Sequence, residues 1–261
     1  MFRSRRNKLE RAALDEPFPQ VWRDRLAHRW PLWSTLSDDE KSELEDLIRV
    51  FATRIRWEAA QGFAVTDEMK LLISAQACLL VLGHGLADGL DLYRQVTSII
   101  VHPRTVVLTG QRSVGSHLAT DEAYSLAGQA HHRGPVVLSW STVAFEARHH
   151  QRGQNVVFHE FAHQLDMVDG TVDGTPPIRD AALRQQWIAV CTEEFRRLRR
   201  GDERVLRPYA ATDTGEFFAV ATEMFFTQPV ELCAEAPELY DVLRAFYRQD
   251  PADRYNTAIV A

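Results

Sequence analysis

The chain has 261 residues, 45% of them hydrophobic, a formal charge of -6 and a pI near 5.9. That is enough apolar material for a sizeable core, and the mild acidity removes any global electrostatic case for binding nucleic acid or an acidic membrane surface. Three widely spaced cysteines, Cys78, Cys191 and Cys233, show no CxxC spacing and are expected to be buried, reduced thiols in a cytoplasmic protein.

The whole chain, 1–261, is expected to form a single domain. Its first 35 residues read as a partly irregular segment, 36–95 as a helical layer, and 96–261 as a sheet with the active-site helices. The N-terminus carries Arg3, Arg5, Arg6 and Lys8 without a following apolar region, so it reads as a solvated, frayed tail and not a secretory signal. Ser37-Asp38-Asp39-Glu40 has the pattern of a capping box with an acidic first turn. Leu44, Leu47, Ile48, Phe51 and Ile55 then recur at helical spacing, and the helix is expected to end at Gly62. Thr66-Asp67 starts a second helix that runs to about Leu82. It is apolar on most sides, and too short and too interrupted by Ser74 and Gln76 to span a bilayer.

Thr97 to Val101 and Thr105 to Leu108 are short β-branched runs separated by Pro103, and both read as strands. Gly110 to Gly134 reads as a long loop. Pro135 to Trp140 is a strand whose leading proline suits a sheet edge. Ser141 and Thr142 can cap a short helix towards His149. Helices are further expected at Ala181 to Arg200, Thr214 to Thr227 and Pro237 to Gln249, the last stopped by Asp250-Pro251.

Between these lies Asn155 and then the run VVFHEFAHQLDMVDG. His159 and His163, four residues apart, project from one face of a helix and can bind one tetrahedral zinc ion. Glu160, beside them, is placed to handle the proton of an activated water. Phe161 and Ala162, between the histidines, are uncharged, as a buried metal helix requires. A third protein ligand is needed, and the Thr214 to Thr227 segment offers Glu216 and Glu223. They are seven apart on one helix face, and spacing alone does not choose between them. Asp166 shares the face of the motif histidines and can accept an N–H from a ligand imidazole. His149 and His150 read as surface residues before a turn, His131 and His132 as solvated loop residues, and His84 and His102 as ordinary neighbours of strands and turns.

HEFAHQLDMVDG together with YAATDTGEFFAVATEMFF, from Tyr209 to Phe226, resembles the Mlc titration factor A family of zinc peptidases. QGF at Gln61 to Phe63, the strand PVVLSW and FYRQDP at Phe246 to Pro251 extend the resemblance over most of the chain. The active site of that family is related to that of anthrax lethal factor. The resemblance implies an α+β, zincin-like domain, mostly helical, with a small sheet beside the HExxH helix. It implies one zinc ion held by His159, His163 and Glu216, which leaves Glu223 to orient a ligand from behind. Tyr209, seven residues before Glu216, is then the tyrosine that points into the site.

The implied reaction is peptide hydrolysis, with Glu160 as the proton carrier and Tyr209 as a donor to the oxyanion. Aminopeptidase-like activity on a peptide or protein substrate, and binding of a repressor of sugar-uptake genes, are further expectations from the resemblance alone. The competing expectation is a protein that mainly sequesters a transcription factor and whose peptidase site is latent.

Overall fold

The computed structural model describes residues 2–60, 62–104, 135–202 and 205–260, with side chains from Lys8 to Tyr255. Helices dominate. In chain order they are α1 (Phe2–Asp15), α2 (Gln20–Arg29), α3 (Asp38–Arg54), α4 (Asp67–Val81), α5 (Gly85–Leu92), α6 (Trp140–Arg148), α7 (Val156–Asp166), α8 (Ala181–Arg200), α9 (Thr214–Thr227), α10 (Pro229–Glu235), α11 (Pro237–Tyr247) and α12 (Pro251–Val260). The strands β1 (Arg56–Ala59), β2 (Ser98–His102) and β3 (Val136–Ser139) form a parallel sheet in the order β1-β2-β3. Trp57 pairs with Ile99, and Ile99 with Val136. The fold is therefore α+β with a small sheet, and β3 packs against the motif helix α7. Among the described residues β3 is at the sheet edge, as its leading proline suggests.

Two buried helices hold α7 in place. Helix α4 opens where expected, with the Thr66 hydroxyl accepting from Met69 N–H at 3.3 Å. It is buried from Leu71 to Val81, which is why its apolar residues follow no single face. By length and composition alone, Asp67–Leu92 is apolar enough to cross a membrane, yet 67% of that window is buried inside the fold. Helix α9 is buried without a break from Gly215 to Thr227. The motif helix sits between these two. Phe158 meets Phe226 of α9 at a ring separation of 5.5 Å, and Phe161 lies 5.7 Å from Phe51 and 5.0 Å from Tyr93.

These apolar contacts fix the rotation of α7, and so the direction of its histidines. Phe161→Ala is expected to cost about 3–5 kcal/mol of stability, the usual range for emptying a packed aromatic site. Urea unfolding of the purified variant measures it, and a loss under about 1 kcal/mol would show that the site collapses around the gap.

Several expectations need correction. The capping box at Ser37 forms as read, but α3 stops at Arg54 and residues 56–59 become β1. The helical period runs on through Ile55, but pairing with β2 outweighs it, a tertiary choice that local pattern does not carry. The first 35 residues are mostly helical, not partly irregular. They are held to the core by Phe18, Leu26, Trp30, Leu32 and Trp33, all buried, and Glu10 forms an ion pair with Arg54 at 2.8 Å.

Helix α5 was not expected; it opens at Gly85, whose φ of 73° suits glycine. Pro251 opens α12 where it was expected only to end α11, because a proline at the first helical position loses no hydrogen bond. Helix α10 was also missed. Helix α6 starts at Trp140, before the expected Ser141 cap. His150 is buried although His149 is exposed. Of the three free thiols only Cys78 is fully buried, while Cys233 is exposed. The expected strand Thr105 to Leu108, the loop Gly110 to Gly134 with His131 and His132, and Gln61 of QGF lie outside the described residues.

Candidate metal centre

The N-terminus of α7 is built from polar side chains that satisfy its free N–H groups. Asn155 Oδ1 accepts from Phe158 N–H at 3.0 Å, and Glu146 Oε2 accepts from Val156 N–H at 2.6 Å. At the other end, Gln95 Nε2 donates to Gln164 O at 2.9 Å and Arg94 Nη2 to Val168 O at 3.0 Å. Both ends of the helix are therefore tied to the surrounding fold.

Helix α9 is capped by Asp213, which accepts from Glu216 N–H at 2.9 Å. Its seven-residue spacing brings Glu216 and Glu223 to the same neighbour, His159, on opposite sides of the ring. Glu216 Oε2 lies 3.1 Å from His159 Nε2, and Glu223 Oε1 lies 2.8 Å from His159 Nδ1. His163 Nε2 is 3.3 Å from His159 Nε2 and 3.6 Å from Glu216 Oε2.

Three donor atoms thus form a triangle with edges of 3.1, 3.3 and 3.6 Å. Nitrogen and oxygen ligands about 2.0–2.1 Å from a tetrahedral ion are about 3.3–3.4 Å apart. The triangle fits one such ion. The chemistry fits as well: Glu216 Oε2 is buried and receives no well-aligned hydrogen bond, with only the two imidazole nitrogens close to it. His159, His163 and Glu216 are a group able to hold a metal ion.

The close-set carboxylates and imidazoles shift one another's protonation. Burial disfavours a proton on His159, but Glu216 and Glu223 outweigh it and raise its pKa well above that of free imidazole. Burial likewise works against ionising Glu216, yet the two imidazoles hold its carboxyl far below the usual range. Glu160 is partly exposed but crowded, and loss of hydration raises its carboxyl against the pull of the two imidazoles.

Glu223 is the hub behind the triangle. Its side chain is only 2% exposed. It accepts from His159 Nδ1, from Asn155 N–H at 2.7 Å and from Arg207 Nη2 at 2.7 Å. Burial opposes its charge, and Arg207 and His159 more than offset that, so its pKa is lowered. Asn155 Nδ2 in turn donates to Gln76 Oε1 at 2.7 Å, so α4 reaches the site through a side chain that is fully buried.

Asp166 does not take the place read for it. Its two oxygens accept from Gly174 and Thr175 N–H, each at 3.0 Å, and so hold the loop after α7. Burial pushes its carboxyl up to about 6. The contact with a motif imidazole that spacing allowed to Asp166 is made by Glu223 instead. The loop closes tightly: a Cβ on Gly174, at φ 77°, would lie 2.3 Å from Thr214 O.

Tyr209 lies in the 3-10 turn Pro208–Ala211 with its ring centroid 6.2 Å from that of His159. Sequence reasoning missed Arg207, Gln76 and the bridging role of Asn155. A lone amide such as Gln76 in an otherwise apolar helix is the signal that could have found the second of these.

The profile of the glucose-regulated metallo-peptidase M90 family matches residues 2–248. An uncharacterized protein of Synechocystis is 35% identical over 247 residues, 93% of this chain and 88% of the relative. Mlc titration factor A of Pectobacterium atrosepticum is 32% identical over 232 residues, 86% of this chain and 84% of the relative. The Mlc titration factor A of Salmonella gallinarum is 31% identical over 255 residues, 95% of this chain and 92% of the relative. With the profile matched along nearly its whole length and the donor triangle formed between its HEFAH helix and α9, this chain belongs to the M90 family of metallopeptidases.

Proposed function

We propose that the chain is a zinc-dependent peptidase, aminopeptidase-like, built as one domain over residues 1–261. The observation that carries this reading is the donor triangle of His159, His163 and Glu216, with its buried, unmatched carboxylate oxygen. Two imidazoles and one carboxylate form a set that suits zinc and leaves a fourth position open. When bound, zinc supplies Lewis-acid chemistry, acidifying water and polarising a carbonyl.

The chain's own residues do the rest. Glu160 takes the proton of the attacking water and returns it to the leaving amine; its raised pKa suits a group that must both accept and release. Tyr209 donates its hydroxyl to the oxyanion of the tetrahedral intermediate. Glu223 accepts from His159 Nδ1, which leaves Nε2 turned towards Glu216 and His163, where it would serve as a metal donor. Asp166 supports the site at one remove, by shaping the loop against α9.

A chelator should abolish peptide hydrolysis by the purified protein, and stoichiometric zinc should restore it. Hydrolysis that persists after the metal is shown to be gone would sink the reading. Unblocked and N-acetylated forms of one peptide separate aminopeptidase from endopeptidase action.

The name that two of these relatives carry supports a second reading. They are titration factors of Mlc by name, so a repressor protein is proposed as a partner of this chain too, in the cytoplasm. In its strongest form that binding is the main task and the peptidase site is latent.

A further inference from the structure

Arg207 belongs to no motif, yet it stands where the two halves of the site meet. It precedes Pro208 with an extended backbone, φ -65° and ψ 151°, the conformation that a following proline enforces. Its guanidinium forks onto Glu223, with Nη2 2.7 Å from Oε1 and Nη1 3.3 Å from Oε2. Its Cζ also lies 5.6 Å from the centre of the Tyr209 ring, within cation–π reach. Glu223 in turn holds His159. One planar cation therefore touches both the carboxylate behind His159 and the tyrosine beside it.

We propose that Arg207 is a positioning residue that ties the orientation of His159, through Glu223, to the placement of Tyr209. The Tyr209 half rests on the zinc-peptidase reading; the His159 half needs only that the donor triangle binds the ion. A forked, planar group is required because it must bond a carboxylate along its edge while offering a face to the ring, which an ammonium cannot do.

The test uses the full chain with Arg207→Ala and Arg207→Lys. Zinc affinity is read by competition with a chromophoric chelator, kcat and KM on one peptide, and Tm on the metal-stripped proteins. Arg207→Ala should lose about 10–100-fold in zinc affinity, as removal of such supporting partners does. Its kcat should fall with KM little changed. Arg207→Lys keeps a cation beside Glu223 and should regain most of the zinc affinity, while kcat stays about tenfold or more below the parent.

Parental kcat in Arg207→Lys overturns the proposal, as does parental zinc affinity in Arg207→Ala. Should Arg207→Ala prove unfolded by its metal-free Tm, Arg207→Lys decides alone. A parent that binds zinc and cleaves no peptide sinks the peptidase reading instead, and the zinc affinities still judge the tie to His159.

Discussion

Glu160→Gln is expected to fold, to retain zinc and to lose peptide hydrolysis by roughly 10²–10⁴-fold, the usual contribution of a positioned proton carrier. The amide has the carboxylate's size and keeps one acceptor oxygen, so the packing of α7 should not change. It has no basic oxygen that can take a proton and pass it on. Because the donor triangle lies on other residues, metal content should match the parent. The same variant separates the two functional readings. A protein that no longer cleaves peptides but still binds a repressor in a pull-down has two independent tasks. Full hydrolysis by Glu160→Gln would remove Glu160 from its assigned role.

The second large effect separates the two glutamates of α9. Glu216→Ala leaves two protein donors where three stood, and the purified variant should lose its zinc on dialysis. Glu223→Ala leaves the triangle intact, and its zinc affinity should fall by only about 10–100-fold. Its stability should suffer more. The His159 ring, Asn155 N–H and Arg207 all converge on this one carboxylate, and taking away one partner of a buried charged set costs about 3–5 kcal/mol. Glu223→Gln, which keeps an acceptor, is the folded control. Metal analysis and urea unfolding on the same preparations test both halves. If Glu223→Ala came out metal-free and Glu216→Ala loaded, the assignment of the ligand would be reversed.

The parts of the chain that could be read in advance are those whose signal is local. The Ser37 cap, the start of the buried helix α4 at Thr66-Asp67 and the bounds of α9 all follow from patterns within one turn or one helix. The two histidines of α7 were legible for the same reason. The choice between Glu216 and Glu223 was not, because both lie on the same face and only the orientation of the His159 ring distinguishes them. Resemblance to a family supplied the choice that spacing withheld.

Strand β1 was hidden because its pairing partner is some forty residues away. Arg207 was hidden because its partner Glu223 lies 16 residues on and Tyr209 is recognisable only once the turn is folded. Asp166 was misread because helical spacing shows which face a side chain takes, and not that a later loop will claim both its oxygens.

The donor triangle draws on α7 for two of its atoms and on α9 for the third, two helices separated by 47 residues of chain from Asp166 to Thr214. An ion seated there binds the folded arrangement and finds no comparable site in the open chain. Its binding energy is therefore added to the stability of the fold, about 2.7 kcal/mol when free metal stands a hundredfold above the dissociation constant. The centre is thus also a clasp. If the proposed ion binds, metal supply also sets how long each folded molecule survives unfolding and proteolysis.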